Sequence, residues 1–377
     1  MERLNRLEAE VKDLQGQLRT LPLPQPESLR VDITYFAVLP MVTDLSQDVA
    51  LAALAPALNT TAMTPRLAAM LGQMVSIRAI RLLRHKPGRR ALIAYDVTLA
   101  DGGEVTLLGK GRSRGADQRT YRLQQQLWQQ GFSDHSPDGI AVPEPLGMVP
   151  DFHLWFQAWV PGRMVSEVSE QPYPMALWDH IAAAITKLHR ANISPTKRHT
   201  LEDELRILHE RLPVVALAYP HWQDRLHRLL ERCTVLANAL SPATPTGIHR
   251  DFYPDQVLIA DKSGQSDQPS YLYLLDLDLY CAGDPALDIG NFIAHLTEQS
   301  LRILGYPDGY LAQEEAFVNR ACRLNPALHP DAIAAYKTLT LVRHIAISHQ
   351  MPSRQTITPH LLDLCEQRLD IAPFPPG

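Results

Sequence analysis

The sequence predicts an α+β chain built as two lobes with a cleft between them, and three observations predict it. Residues 77–110 read as three antiparallel strands in a row. From Trp178 onward the apolar period is mainly helical. One polar-rich, non-helical island, residues 247–288, interrupts that helical part. At 377 residues the chain exceeds one average domain, which fits two lobes.

The elements follow in order. Leu4, Leu7, Val11, Leu14 and Leu18 make a 3-4 stripe with Glu, Arg and Lys between, the seam of a short coiled coil. Two readings stay open for residues 1–21: self-association into a homo-oligomer, or an amphipathic helix docked on its own domain. The proline-rich run that follows, residues 21–27, cannot continue a helix and reads as a linker. Residues 45–74 read as helical in two pieces, with Ser46 as an N-cap and Pro65 near the start of the second.

Strands are expected over 77–84 and 91–99, joined by the turn K-P-G-R, and over 105–110 after Asp101-Gly102-Gly103. A helix over 118–130 buries Tyr121, Leu127 and Trp128, and Gly131 closes it. Two more strands, 142–147 and 153–160, end at Pro161-Gly162. Beyond them Trp178, Ile181, Ile185 and Leu188 keep the helical period, as do Leu226, Leu229, Cys233, Leu236 and Leu240. The expected organisation is a heptad helix and linker (1–27), a helical lead-in (28–74), a sheet lobe (75–160) and a helical lobe (161–377).

Composition excludes several classes. With 36 Lys+Arg against 41 Asp+Glu the net charge is −5, so no global basic field favours nucleic acid as a partner. No apolar run approaches the ~18 residues a membrane span needs, and the charged start M-E-R-L-N-R is unlike a secretory signal. Cys233, Cys281, Cys322 and Cys365 form no C-x-x-C pair, so neither a zinc site nor a disulfide framework is legible, and a cytoplasmic setting is expected.

The strongest local signal is H-R-D-F-Y-P-D-Q-V-L-I, beginning at His249. It puts Asp251 on a loop at the edge of an aliphatic strand. A second strand ends 25 residues after Asp251 in L-L-D-L-D, delivering Asp276. Phosphoryl transfer can use such a pair: one carboxylate accepts the proton of an attacking hydroxyl, the other holds magnesium, a hard cation that prefers oxygen. A lone His-x-Asp triplet is most often a surface turn; the further island G-D-P-A-L-D-I-G-N, at a set distance from the first, argues against that here.

Together these islands resemble the aminoglycoside phosphotransferase and choline kinase-like small-molecule kinases, relatives of the protein kinases. The resemblance rests on His249-Arg250-Asp251 with Gln256 five residues on, on Asp276, and on Gly283-Asp284-Pro285 with Asp288, and it covers roughly residues 75–350. It implies a bilobal protein kinase-like fold, a small antiparallel sheet lobe that binds nucleotide and a larger helical lobe that binds acceptor. It further implies ATP and Mg2+ as cofactors and a small-molecule hydroxyl acceptor of aminoglycoside, sugar or amino-alcohol type. Asp251 corresponds to the catalytic base, Asp276 and Gln256 to the metal ligands, and His249 and Asp288 to the scaffold of the catalytic loop. Lys110 corresponds to the phosphate-binding strand lysine, and Gln157, Trp159 and Val160 to the hinge beside the adenine. Arg89 belongs with Arg84, Lys86 and Arg90 to a basic hairpin that either supplies charge to the phosphates or simply faces water.

Two departures stand out. Gln256 replaces the family's Asn, which lengthens the reach by one methylene. The helix after Lys110, D-Q-R-T-Y-R-L-Q-Q-Q-L-W, has no Glu to orient that lysine, leaving Asp117 or Gln124 as substitutes. There is no Gly-rich loop either; the first hairpin carries R-H-K-P-G-R-R instead. These departures keep a second reading open, a nucleotide-binding scaffold of the same fold without turnover. A protein kinase is disfavoured because A-P-E is missing and G-D-P-A-L-D is present. Asp284, Glu298, Glu314 and Glu315 would favour a cationic acceptor if they faced it; solvated surface acids are the plainer reading.

Overall fold

The computed structural model describes residues 45–168, 174–260 and 271–371. The heptad stripe and linker, with the self-association read from them, lie outside these residues.

The described chain opens with two 3-10 segments, Leu45–Gln47 and Val49–Leu58, and helix α1 (Thr60–Leu71). Asp48, rather than Ser46, caps the longer segment, its Oδ1 accepting the Ala50 N–H at 3.1 Å. Asn59 caps α1 through the Ala62 N–H, and left-handed Gly72 ends it. Pro65 lies well inside α1 rather than at its start.

Three long strands follow: β1 (Val75–Lys86), β2 (Arg90–Leu99) and β3 (Glu104–Arg112). After α2 (Gln118–Gln129) come β4 (Ile140–Ala141), β5 (Pro145–Val149) and β6 (Leu154–Ala158). An antiparallel five-stranded sheet forms in the order β1-β2-β3-β6-β5. On β2, Ala91, Ile93, Tyr95 and Val97 are buried at every second position, the period of a pleated strand. They pack against Leu51, Leu54, Met63 and Leu67, so the lead-in covers one face of the sheet. The Tyr95 hydroxyl donates to the Ala57 carbonyl at 2.9 Å and pins that cover.

The rest of the chain supplies β7 (Arg163–Met164), α3 (Val165–Val168), α4 (Met175–His189), α5 (Leu201–Ala218), α6 (Gln223–Asn238) and β8 (Thr246–Ile248). Then come β9 (Val257–Ala260), β10 (Tyr271–Leu274), β11 (Cys281–Gly283), α7 (Pro285–Leu304), α8 (Leu311–Leu324), α9 (Pro330–Gln350) and α10 (Thr358–Arg368). Trp178, Ile181, Ile185 and Leu188 of α4 join Phe292, Leu341 and Ile345 in one large core, as the helical period required. The island inside the helical lobe folds as small sheets, β4-β10-β9-β7 and β11-β8.

The architecture is therefore α+β and two-lobed. The segment after β6 runs from the five-stranded sheet to β7, which pairs with β9 of the helical lobe. Gly162 is obligatory on that path, since a Cβ there would lie 2.4 Å from the Ile259 carbonyl oxygen. Among the described residues no helix is long and apolar enough to cross a membrane.

Candidate active site

The side that carries Asp251 is built on one buried carboxylate. Asp288, in the first turn of α7 and fully buried, accepts the backbone N–H of His249 (2.8 Å) and of Arg250 (2.7 Å). It also takes a 2.8 Å hydrogen bond from the ring of His189 at the end of α4. His249 then reaches across to the Leu275 carbonyl through Nε2 at 2.8 Å. One frame thus fixes both the loop carrying Asp251 and the residue before Asp276. Asn291, one turn beyond Asp288, adds a bond from its side-chain amide to the Phe252 carbonyl at 2.7 Å.

Backbone strain falls in the same place. Arg250 (φ 71°) and Asp276 (φ 51°) are both left-handed, a conformation that non-glycine residues adopt only where the surroundings enforce it. Arg250 directly precedes Asp251, and Asp276 is itself the second carboxylate that the sequence singles out. Gly247 is fixed by a different cause: a Cβ there would sit 1.9 Å from the Tyr280 hydroxyl, which crosses β8.

The sheet side works by register. Arg90 pairs with Arg112, Leu92 with Lys110, Lys110 with Trp155 and Leu108 with Gln157. Cross-strand partners share a face, so Arg90, Lys110, Arg112 and Gln157 stand on the face opposite the lead-in helix. Two arginines directly opposite each other repel. Asp278 offsets this by pairing with both, with Arg90 at 3.2 Å and with Arg112 more closely. Arg112 also meets Asp117, the N-cap of α2, at 3.1 Å. Arg119 of α2 donates to the Asp278 carbonyl at 2.5 Å. Helix, sheet and loop are tied together here by arginines.

Lys110 has no carboxylate partner on α2. Gln124, one substitute the sequence offered, is buried and donates to the Pro143 carbonyl and to Gln157. Asp117, the other, is engaged by Arg112. Instead the lysine ammonium lies 4.9 Å from the centre of the Trp155 ring and acts electrostatically on Asp276 and Asp278. Burial works to raise the Asp276 carboxyl, but the Lys110 and Arg90 charges outweigh it and hold the group below the usual range. Asp278 moves the other way, pushed up by burial and then by the Asp276 charge.

The basic hairpin is anchored by Asp48, whose Oδ2 takes the Gly88 N–H and the His85 ring, each at 2.8 Å. Lys86 lies within electrostatic reach of Asp276; burial, then the charges of Arg84, Arg90 and Arg89, pushes its ammonium down. Arg89 stands exposed at the tip and makes no ion pair with the described residues. Along the hinge, Gln157 is buried, Val160 packs beside Leu258 and Tyr273, and Trp159 is exposed with its N–H on the Thr106 carbonyl at 3.0 Å. Gln256 is buried, its N–H on the Tyr253 carbonyl (2.8 Å) and its carbonyl receiving the Leu275 N–H (2.9 Å). It too is tied both to the catalytic loop and to the strand leading to Asp276.

Sequence reasoning missed Asp278, Arg112, Arg119 and Asp48 as site residues, and read Arg90 only as part of the basic hairpin. Only Asp278 left a trace, as the second carboxylate of L-L-D-L-D. Three of the four acids offered for a cationic acceptor are otherwise engaged: Asp284 caps α7 through the Ala286 N–H, Glu298 pairs with Arg302, and Glu314 pairs with Lys337, while Glu315 is exposed.

A small antiparallel sheet over a helical lobe, with two carboxylate loops braced beneath it, defines a kinase-like protein. The model of the phosphotransferase enzyme family matches residues 109–323, more than half of the chain, and the chain belongs to that family. Comparison with curated proteins finds no match. Among solved structures, the fold is similar to choline kinase LicA from Streptococcus pneumoniae (TM-score 0.52, 12% identity, 83% of this chain and 99% of that one). It is also similar to amicoumacin kinase hAmiN, solved with AMP-PNP, Ca2+ and Ami (TM-score 0.52, 15% identity, 83% and 95%). Choline kinase from Cryptosporidium parvum Iowa II matches at TM-score 0.50 and 11% identity, over 78% and 89%. At such identities the likeness is one of fold.

Proposed function

We propose that this phosphotransferase moves the γ-phosphoryl group of ATP to a hydroxyl of a small molecule, with Asp251 as the base. The observation that carries the reading is the Asp288 frame, which holds the Asp251 loop and the residue before Asp276 in one hydrogen-bonded unit. Residues 75–160 act as the nucleotide lobe and 161–377 as the catalytic and acceptor lobe. Adenine lies along residues 157–160, while Lys110 and the basic hairpin, Arg89 included, neutralise phosphate charge.

The donor set suits magnesium: Asp276 is kept ionised by Lys110 and Arg90, and the Gln256 amide supplies a second hard oxygen. When bound there, the ion would neutralise charge on the phosphates. The protein's own part is positioning: Asp251 accepts the hydroxyl proton while the arginine network keeps the sheet registered over the loops.

Asp251→Ala tests this directly. ATP consumption should fall by roughly 100-fold or more, the usual worth of a positioned base, with nucleotide affinity largely kept. Undiminished turnover would remove Asp251 from the role. Nucleotide binding by the wild type with no turnover on any acceptor would favour the scaffold reading.

A further inference from the structure

If the acceptor hydroxyl meets Asp251, the groups beside that loop decide what else the acceptor carries, and this inference rests on the function proposed above. Tyr253, two residues on, stacks on His295 of α7, with ring centroids 4.5 Å apart and planes at 21°. His295, Glu298, Gln299 and Arg302 recur at helical spacing and form one stripe leading away from the loop. His344 of α9 meets His295 edge-on at 4.4 Å, and its Nε2 is buried without a hydrogen-bond partner.

The charge along this stripe is positive. Buried Glu298 is shared by two guanidiniums, Arg302 at 3.1 Å and Arg354 at 3.5 Å; those arginine side chains are 26% and 25% exposed, against 2% for the glutamate. Arg343, next to His344, is held by Glu204 at 3.1 Å and by Asn291, and Glu204 also receives the ring of His199. The solvent-facing members of these pairs are therefore arginines. Both histidines are held well below the ordinary imidazole range, His295 by burial, then by His344 and the charges of Arg343, Arg354 and Arg302, and His344 by burial and the same three arginines. At the loop end the field is negative, since Asp251, Asp255 and Asp276 all act on Tyr253; of these, Asp255 accepts the Ser166 hydroxyl.

We propose that the α7 face from His295 to Arg302, with Arg354 beside it, receives the acceptor and selects a hydroxylated anion over cationic amino-alcohols and aminoglycosides. Guanidinium forks match carboxylate and phosphate oxygens, and a cation brought to the same place meets net repulsion.

The test uses the full chain with ATP and magnesium. Glycerate and gluconate serve as hydroxy-carboxylates, glucose 6-phosphate as a phosphorylated acceptor, glucose as neutral, and choline and kanamycin as cations. The expected result is the highest kcat/KM for an anion, the first two against the third telling carboxylate from phosphate. The double variant R302Q/R354Q should raise the KM for that anion about tenfold or more, the worth of a charge-assisted bond, with a far smaller change in the KM for ATP. Preference for a cation, or an anion KM untouched by the double variant, overturns the proposal.

Should the wild type consume no ATP at all, the phosphotransfer reading fails, and the inference is then read by binding. In the presence of AMP-PNP, thermal stabilisation by an anion that R302Q/R354Q abolishes supports it. Stabilisation by cations, or by none of the probes, overturns it.

Discussion

The two sides of the cleft hold their charges by different means. On the helical side the supports are backbone groups: Asp288 receives two main-chain N–H bonds, and His249 donates to a main-chain carbonyl. On the sheet side they are side chains, with Arg90, Arg112 and Arg119 converging on Asp278 and its loop while Lys110 faces Asp276 without a helix glutamate. Backbone-anchored geometry admits few substitutes, because the partner must stand where the main chain dictates. A cluster of long charged side chains can be rebuilt from other residues.

The largest effect in either region should come from Asp288→Ala. It leaves the His249 and Arg250 N–H groups without their acceptor, each costing about 1–3 kcal/mol where buried, and it frees the loop that carries Asp251. Denaturant unfolding should show the loss, and turnover should fall with it. A variant with unchanged stability would mean that the frame is not what fixes the loop. On the sheet side the expected loss is smaller. Asp278→Ala should raise the KM for ATP more than it lowers kcat, since the arginines it holds lie beside Lys110. A double-mutant cycle with Arg112→Ala should show coupling on the order of 1 kcal/mol. Additive effects would show that Arg112 and Asp278 act independently, and the contrast between the two sides would lose its basis.

What could be read from the sequence divides along the same line. The K-P-G-R turn ahead of β2, the helical period at Trp178 and the spacing of the Asp251, Asp276 and Asp288 islands are local patterns, and the strand, the helix and the meeting of the islands follow them. The Asp278 network was not legible, because its members come from β2, β3, α2 and the loop after β10, joined only by register and packing. Asp48 was hidden for the same reason: it lies 40 positions from Gly88, whose N–H it holds. Pro65 was misplaced because a helix-start preference carries no information about where Asn59 will cap.

The smallest and most specific effect concerns Gln256, on the helical side. Its backbone is fixed at both ends, by the Tyr253 carbonyl and the Leu275 N–H, so a substitution there changes reach without moving the loop. If the amide oxygen is a magnesium ligand, Gln256→Ala should raise the magnesium concentration needed for half-maximal rate roughly tenfold or more. Gln256→Asn keeps the oxygen but draws it back by one methylene, so its effect should be smaller and should fall mainly on magnesium rather than on ATP. Equal magnesium dependence in all three proteins would take Gln256 out of the proposed metal site and leave Asp276, whose carboxyl Lys110 and Arg90 hold below the usual range, as its one proposed ligand.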